Sequence, residues 1–412
     1  MNILHLTRDF SPKSETFTYD AISLLNKFNG SDESSVITLF RMNSDIRPYK
    51  HLSVMFGFHE EEVYSGKSLL LRLFHNPKYY FFRLIYTRFF WLMTLLLKNK
   101  LKKKIRLISP DIIHCHFGWS YYDYSRILKK DFPDTPLVIT CHGSDVTKRP
   151  REDQAYKNAL LEISRRENVL LTVVSAYLKN ELIKLGISED KIRVQANTVN
   201  VGLFSNSNEK KQLKIANSPL HITNVARFVS WKGHEYLVRG FAEFLKHQDG
   251  QLNLVGDGEE KGQIIKLVQE LKISDKVLFL GSVDHTKIPE ILTSSDVYVQ
   301  PSIIDTKTGQ CETFGVVVLE AIALSLPVIV TNTGGLPEVV QGDKKFSDKL
   351  FFIVNEKSPS EICDKLRLVS QQSFNQNDMN EYSSERIKFF SNERFVKDMF
   401  KVYNSILKAG AE

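Results

Sequence analysis

The feature that most constrains this chain is a rhythm of short apolar runs that appears twice. The first series is Ile3–Thr7, Ser35–Phe40, Asp111–Cys115, Leu137–Cys141, Val169–Val174 and Lys191–Ala196. After a polar stretch it restarts with Leu220–Ala226, Gln251–Gly256, Lys276–Leu280, Asp296–Gln300, Pro327–Thr331 and Leu350–Val354. Runs this short and this apolar, separated by amphipathic stretches, are the pattern of parallel strands covered by helices on both faces. Two series predict two doubly wound α/β domains. A chain of 412 residues is long enough for two buried cores. Its 42% hydrophobic and 25% charged residues are ordinary globular usage, which excludes disordered and fibrous classes. No short repeat is visible, so a solenoid is not expected.

The break falls in the polar stretch from Phe204 to Pro219, which has no apolar period and reads as a linker. The expected organisation is a first domain over 1–204, a linker over 205–219 and a second domain over 220–391. A final helix over 392–412 is expected to pack back on the first domain through Phe395, Met399, Phe400, Tyr403 and Leu407. Cys115, Cys141, Cys311 and Cys363 share no CxxC spacing and read as free thiols in a reducing compartment. The N-terminus runs straight into a strand pattern, so no signal peptide is predicted and the protein is expected in the cytoplasm.

Charge is unevenly spread. Residues 1–200 hold 30 Lys and Arg against 21 Asp and Glu; the remainder holds 25 against 27. The asymmetry points to an anionic partner on the first half, either a phosphate-bearing substrate or a membrane surface. Residues 67–106 concentrate it: between Glu62 and Asp111 there are eleven basic residues and no acidic one. Phe81, Phe82, Tyr86, Phe89, Phe90 and Trp91 precede a polybasic end at Lys98, Lys100, Lys102, Lys103 and Lys104. The apolar run Phe89–Leu97 is far shorter than the ~20 residues of a membrane span. The segment therefore reads either as helices packed on the first domain or as a peripheral contact with an anionic leaflet.

The most informative stretch is Glu312-Thr313-Phe314-Gly315-Val316, followed by a helix that carries Glu320. The first amides of a helix lack intrahelical acceptors and sit at the positive end of its dipole, so such a start can hold a phosphate. Glu320, in the second turn, leans back toward that start and can reach a sugar hydroxyl, while Glu312 can reach groups on the far side. Upstream, Arg227 and Lys232 leave a strand where strand ends converge, a place suited to neutralising a diphosphate. Gly256 lies in a strand-to-helix turn, Leu254-Val-Gly-Asp-Gly, and Gly334-Gly335-Leu-Pro337-Glu338 marks another turn before a helix.

In this order the segments VARFVSWKG, LVGDGEE, LGSVDH, DVYVQPS, ETFGVVVLEAIA and LPVIVTNTGGLPEVV resemble the retaining nucleotide-sugar glycosyltransferases of family 4, with the GT-B fold. The resemblance extends from Ile3 to Val354, and the SETF and HCHFG segments look most like bacterial exopolysaccharide members. It implies an α/β fold with two Rossmann-like doubly wound domains facing a central cleft. It also implies hexosyl transfer from a UDP- or GDP-sugar to a saccharide, lipid-linked in cell-envelope synthesis, with no metal or other cofactor and no nucleic-acid partner. By position, Arg227 and Lys232 match the diphosphate-binding pair, and Thr313, Phe314, Gly315 and Val316 the phosphate-binding helix start. Glu312 matches the donor-sugar residue, Glu320 the ribose residue, and Gly256 and Val283 flank the donor. His142 matches a first-domain histidine at the cleft, with Thr16, His116 and Asp145 on the acceptor side. The family's acceptor hydroxyl attacks on the face the diphosphate leaves, with a leaving-phosphate oxygen as base, so no protein nucleophile is implied.

Departures are Ala226 and Asn197-Thr-Val-Asn200, where the family often has glycine and an NGVD-like segment. Ser11–Phe17 also replaces a paired-glycine loop, which leaves the first-domain phosphate contacts open. His114, Cys115, His116, Cys141 and His142 are all zinc-ligand types, yet strand alternation turns each histidine away from its neighbouring cysteine, so zinc is not expected. The rivals are a sugar-nucleotide epimerase of the same fold, and a non-catalytic carbohydrate-binding subunit.

Overall fold

The structure, a computed structural model, describes residues 1–10, 16–28, 34–41, 47–58, 98–204 and 218–409. The chain divides into two compact units, one formed by Met1–Val174, Lys179–Gln195 and Phe395–Glu412, the other by Ser175–Leu178 and Ala196–Arg394. Each is built around a parallel sheet.

In the first unit the strands are β1 (Ile3–Phe10), β2 (Ser35–Arg41), β3 (Leu52–Phe58), β4 (Ile112–His116), β5 (Leu137–Cys141), β6 (Val169–Val173) and β7 (Ile192–Val194). Their order is β3-β2-β1-β4-β5-β6-β7, so the winding reverses between β1 and β4. Helices α1 (Thr16–Phe28), α2 (Gly118–Asp131) and α3 (Gln154–Ser164) follow β1, β4 and β5. Every residue of β4, β5 and β6 is buried, which is why β5 and β6 read as mostly apolar runs, while β4 carries the buried His114 and His116. β3 was not predicted from the sequence. It is an edge strand, Leu52, Ser53 and Val54 are only half-buried, and its register with β2 shifts between Thr38 and Phe40. Half-exposure removes the continuous apolar signature.

In the second unit β8 (Leu220–Val225), β9 (Gly250–Val255), β10 (Val277–Gly281), β11 (Val297–Gln300), β12 (Val328–Thr331) and β13 (Phe351–Val354) lie in the order β10-β9-β8-β11-β12-β13. The reversal here lies between β8 and β11. The helices of this unit that matter below are α5 (His234–Phe244) and α6 (Val316–Ala323), while α4 (Ala176–Lys184) and α7 (Asn392–Ala409) are each divided between the units.

From Phe395 onward α7 belongs to the first unit. Met399, Val402, Tyr403 and Ile406 are buried against Ile3, Leu25, Ile112, Val138 and Leu170. Burying side chains of this size contributes ~1.5–3 kcal/mol each, so the terminal helix is a structural part of that core. The change of unit comes at Gln195–Ala196, earlier than the expected boundary at 204. The short helix Val201–Phe204 carries a fully buried Phe204 whose ring lies 5.6 Å from that of His285, which ties the segment to the second unit. The expected linker lies, for residues 205–217, outside the described residues.

Of the basic segment, 67–97 also lies outside the described residues, and 98–108 is helical. Leu101 and Ile105 are buried on one face. Lys102 pairs with Asp131, and Lys104 Nζ donates to Ser53 Oγ at 2.8 Å. Two of the five lysines are thus engaged locally, while Lys100 and Lys103 are exposed. No described helix is long and apolar enough to cross a membrane.

Candidate active site

The second unit gathers its charged residues where the winding reverses, at the carboxyl ends of β8 and β11, the place where open α/β sheets bind ligands. After β8 the chain passes Arg227, makes a short 3-10 turn over Ser230–Lys232, and enters α5 through Gly233. Lys232 forms an ion pair with Glu312, each side chain 14% exposed. The Lys232 Nζ lies 4.5 Å from the centre of the Trp231 ring, and the exposed Arg227 guanidinium lies 5.9 Å from the same ring. The indole therefore holds the two cations on one platform, an attraction of ~0.5–1 kcal/mol at exposed sites.

The loop carrying Glu312 is fixed from behind. Gly335 N donates to the Glu312 carbonyl at 3.0 Å. Gly334 has φ of 56°, and a Cβ there would stand 1.8 Å from that same oxygen. Only glycine satisfies both the left-handed backbone and the close approach. Deeper in, Gln300 Nε2 donates to Ser302 Oγ at 2.8 Å, and Thr333 Oγ1 donates to the Ser302 carbonyl at 2.9 Å, fixing the chain as it leaves β11.

Thr313, Phe314, Gly315 and Val316 lead into α6. Gly315 is its N-cap, and the amides of Val318 and Leu319 turn back to the Gly315 carbonyl, leaving the first-turn amides for an outside acceptor. Phe314 is buried with its ring edge-on to Phe390 at 5.4 Å, so what it offers a ligand comes through its backbone. Glu320 is buried, and its Oε1 lies 2.7 Å from His285 Nε2. Gly256 follows β9 with its amide donating to the Gly281 carbonyl at 2.8 Å, and Val283 is half-buried just beyond β10. Glu338, read from sequence only as part of a turn, accepts from the amides of Ala176 and Tyr177 at 2.7 and 2.8 Å. The expected donor-binding residues thus lie in one unit, and Lys232 with Glu312 in direct contact. Trp231 and His285 were not predicted. Both sit inside the stretches VARFVSWKG and LGSVDH, and their positions at strand ends were the available signal.

The first unit places its predicted residues differently. Thr16 begins α1. His142 follows β5, half-buried, with its ring 4.7 Å from that of Phe17 and 4.4 Å from that of Phe117. Burial, and then the neighbouring His116, hold its pKa well below the ordinary value, so the imidazole is neutral. His116 and Asp145 do not fit the expected acceptor-side role. Asp145 is fully buried, and its carboxylate accepts from the amides of Gly118 at 2.9 Å, Gly143 at 2.8 Å and His142 at 3.1 Å. Burial raises its pKa against the lowering effect of those amides. Its task is to shape the turn that presents His142.

His116 belongs instead to a buried group with His5 and His114, whose ligand nitrogens lie within 4.8 Å of one another. Alternation does turn the three rings to one face, with those of His114 and His116 stacked at 4.2 Å. His5 Nδ1 and His116 Nε2 are 3.0 Å apart, His114 Nδ1 is 2.7 Å from Tyr403 Oη, and His114 Nε2 is 2.6 Å from Thr140 Oγ1. Three imidazoles at this spacing are a donor set a transition metal accepts. Here, however, both nitrogens of His114 are engaged by hydroxyls. Desolvation lowers all three pKa values, that of His116 to about 3, so the rings are neutral.

Two family models match successive parts of the chain: "Glycosyltransferase Family 4" over residues 56–203 and "Glycosyl transferases group 1" over residues 205–386. The chain belongs to family 4 of the glycosyltransferases. Among its relatives, the N-acetyl-alpha-D-glucosaminyl L-malate synthase of Bacillus anthracis is 28% identical over 321 residues, 76% of this chain and 80% of that protein. The amylovoran biosynthesis glycosyltransferase AmsK of Erwinia amylovora is 25% identical over 57% of this chain and 56% of its own. The crystal structure of Anabaena HepE in complex with UDP superposes with a TM-score of 0.68 at 18% identity, covering 98% of this chain and 100% of that one. These matches establish the GT-B fold and a glycosyltransferase.

Proposed function

We propose that this family 4 glycosyltransferase works with retention and without metal, moving a hexose to a lipid-linked saccharide during exopolysaccharide or cell-envelope synthesis. The observation that carries the reading is the Lys232–Glu312 pair beside the start of α6, with Arg227 near the same Trp231 ring. Two cations and a helix start supply preorganised positive charge where a departing diphosphate develops its negative charge, the task a metal performs elsewhere. When the diphosphate takes Lys232, Glu312 is released toward the sugar, and Glu320 meets the ribose. In this reading a leaving-phosphate oxygen takes the acceptor proton as the hydroxyl attacks the same face. His142, neutral and ringed by Phe17 and Phe117, lies on the acceptor side.

The acceptor class is supported by the relatives' names, amylovoran and colanic acid biosynthesis among them. A lipid-linked acceptor would be met on the cytoplasmic membrane face, with Lys98, Lys100 and Lys103 of the basic segment toward an anionic leaflet, each worth ~1 kcal/mol. The test of mechanism is the anomer of the first product, read by NMR in EDTA-treated buffer. Retained configuration at an undiminished rate is expected; inversion, or strict dependence on added divalent metal, overturns the proposal. Epimerisation of donor without acceptor would favour the epimerase, and donor hydrolysis that survives Glu312→Ala would remove Glu312 from the site.

A further inference from the structure

We infer that His285 is a positioning residue that makes Glu320 a reader of a single donor hydroxyl, so that the enzyme selects ribonucleotide over deoxyribonucleotide donors. The inference rests on the proposed reading of Glu320 as the ribose residue and deepens it. Glu320 is 3% exposed and stands in the second turn of α6, leaning toward the helix start at the reversal of the sheet. Its two oxygens are not equivalent. Oε1 is held at 2.7 Å by His285 Nε2, whereas Oε2 is buried and has no hydrogen-bond partner among the described residues. A buried carboxylate oxygen left unsatisfied is costly, and a site tolerates one where a ligand will supply the donor. A carboxylate only accepts, so the ligand group must be an O–H or N–H.

His285 is itself fixed. It opens the 3-10 turn His285–Lys287 after β10, and Asp284 Oδ1 accepts from the Thr286 amide at 2.9 Å and from its hydroxyl at 2.6 Å. The imidazole lies 5.6 Å from the buried Phe204 ring and is 39% exposed on its other side. Donation from Nε2 pins Oε1 and stops the carboxylate from rotating, so Oε2 keeps one direction. Without His285, the carboxylate is free to turn and Oε1 loses its donor. One ribose hydroxyl then loses its partner in the bound complex, while the diphosphate contacts at Lys232 and Arg227 are untouched.

The experiment is calorimetric titration of the full chain with UDP, GDP and ADP and with their 2′-deoxy and 3′-deoxy forms, on wild type, His285→Ala, His285→Gln and Glu320→Gln, with donor KM and kcat alongside. Wild type should prefer its ribonucleotide over one deoxy form by about tenfold or more, the usual range for a hydrogen bond to a charged group. His285→Ala should bind the ribonucleotide about tenfold more weakly with that preference reduced toward unity, raise donor KM, and leave kcat at saturating donor within about twofold. His285→Gln keeps an N–H donor at similar reach and should recover most of the preference, which separates a positioning role from a fold defect. His285→Ala with affinity and preference intact overturns the inference while leaving the ribose reading in place if Glu320→Gln still loses the preference. If Glu320→Gln discriminates like wild type, the ribose reading falls, and the inference with it.

Discussion

The two units share an architecture and differ in what they put at the reversal of their sheets. In the first, β1 and β4 bring together His5, His114 and His116, buried and neutral, with His5 bonded to His116 and His114 to Tyr403 and Thr140. In the second, loops beyond β8, β10 and β11 bring together Lys232 with Glu312 and His285 with Glu320, and one Glu320 oxygen remains without a hydrogen-bond partner among the described residues. The first set is neutral and wholly buried between strands, with His5 Nε2 the ring nitrogen of the three that has no hydrogen-bond partner among the described residues. The second is charged, partly exposed and has capacity left for a ligand. A phosphate-bearing ligand is matched by charged, partly exposed groups and not by neutral, buried rings.

The sharpest way to break this contrast is Lys232→Ala. Losing one preorganised charge partner should raise the barrier by ~2.7–4 kcal/mol, about 10²–10³ in kcat. It also strands Glu312 in a partly buried position, so the variant should melt lower than wild type. Adding Glu312→Ala should restore melting but not turnover, the coupling expected of residues in contact. A single variant that melts far lower with unaltered kinetics would make the pair structural.

Glycine replacements sharpen the same contrast. Gly334→Ala forces a side chain into a left-handed backbone, ~1–2 kcal/mol, and against the Glu312 carbonyl, so stability and donor affinity should fall together. Gly186→Ala in the first unit has φ of 104° but meets only Leu161 Cδ2, at 3.5 Å. It should cost stability on melting and leave kinetics unchanged. Equal kinetic damage from both would erase the distinction.

Acid should act mainly on the first unit. His5, His114, His116 and His142 have folded pKa values below 6.5 because burial disfavours the charged ring, against His234, at about 3, in the second unit. The unfolded chain binds more protons below its own value near 6.5, so their contribution is complete above that pH. It is lost as pH falls from 6.5 toward the folded values, by ~1.4 kcal/mol per pH unit for each histidine. Urea unfolding between pH 7 and 4.5 should show this slope, and His116→Gln should reduce it. A pH-independent midpoint would contradict the neutral cluster.

The smallest effect concerns the basic segment. Serine at Lys98, Lys100 and Lys103, which sets aside Lys102 and Lys104 and their partners Asp131 and Ser53, should weaken flotation with anionic liposomes and leave melting unchanged. Binding to neutral liposomes alone would remove the electrostatic reading.

What the sequence displayed follows from burial. Strands such as Leu137–Cys141, buried along their whole length, are continuous apolar runs and were legible to the residue. Leu52–Phe58, on an edge, was not. The placement of Arg227, Lys232, Glu312 and Glu320 near strand ends and a helix start was legible because it depends on spacing along the chain. His116 and Asp145 were misplaced because a polar residue type does not reveal whether its hydrogen bonds point to a ligand or to the fold: Asp145 spends its carboxylate on three amides. His285 and Trp231 act by contact with residues distant or adjacent in sequence, and contact is not visible in a pattern.

A donor held by the charged set of the second unit, and not by the histidines of the first, should respond only to changes in that set. The direct measurement is calorimetric titration of nucleotide sugars, UDP-glucose first, into wild type, Arg227→Ala/Lys232→Ala and His116→Gln at neutral pH. Donor binding lost in the double variant and retained in His116→Gln is the predicted result. Binding retained without the two cations, or lost with His116, would contradict it.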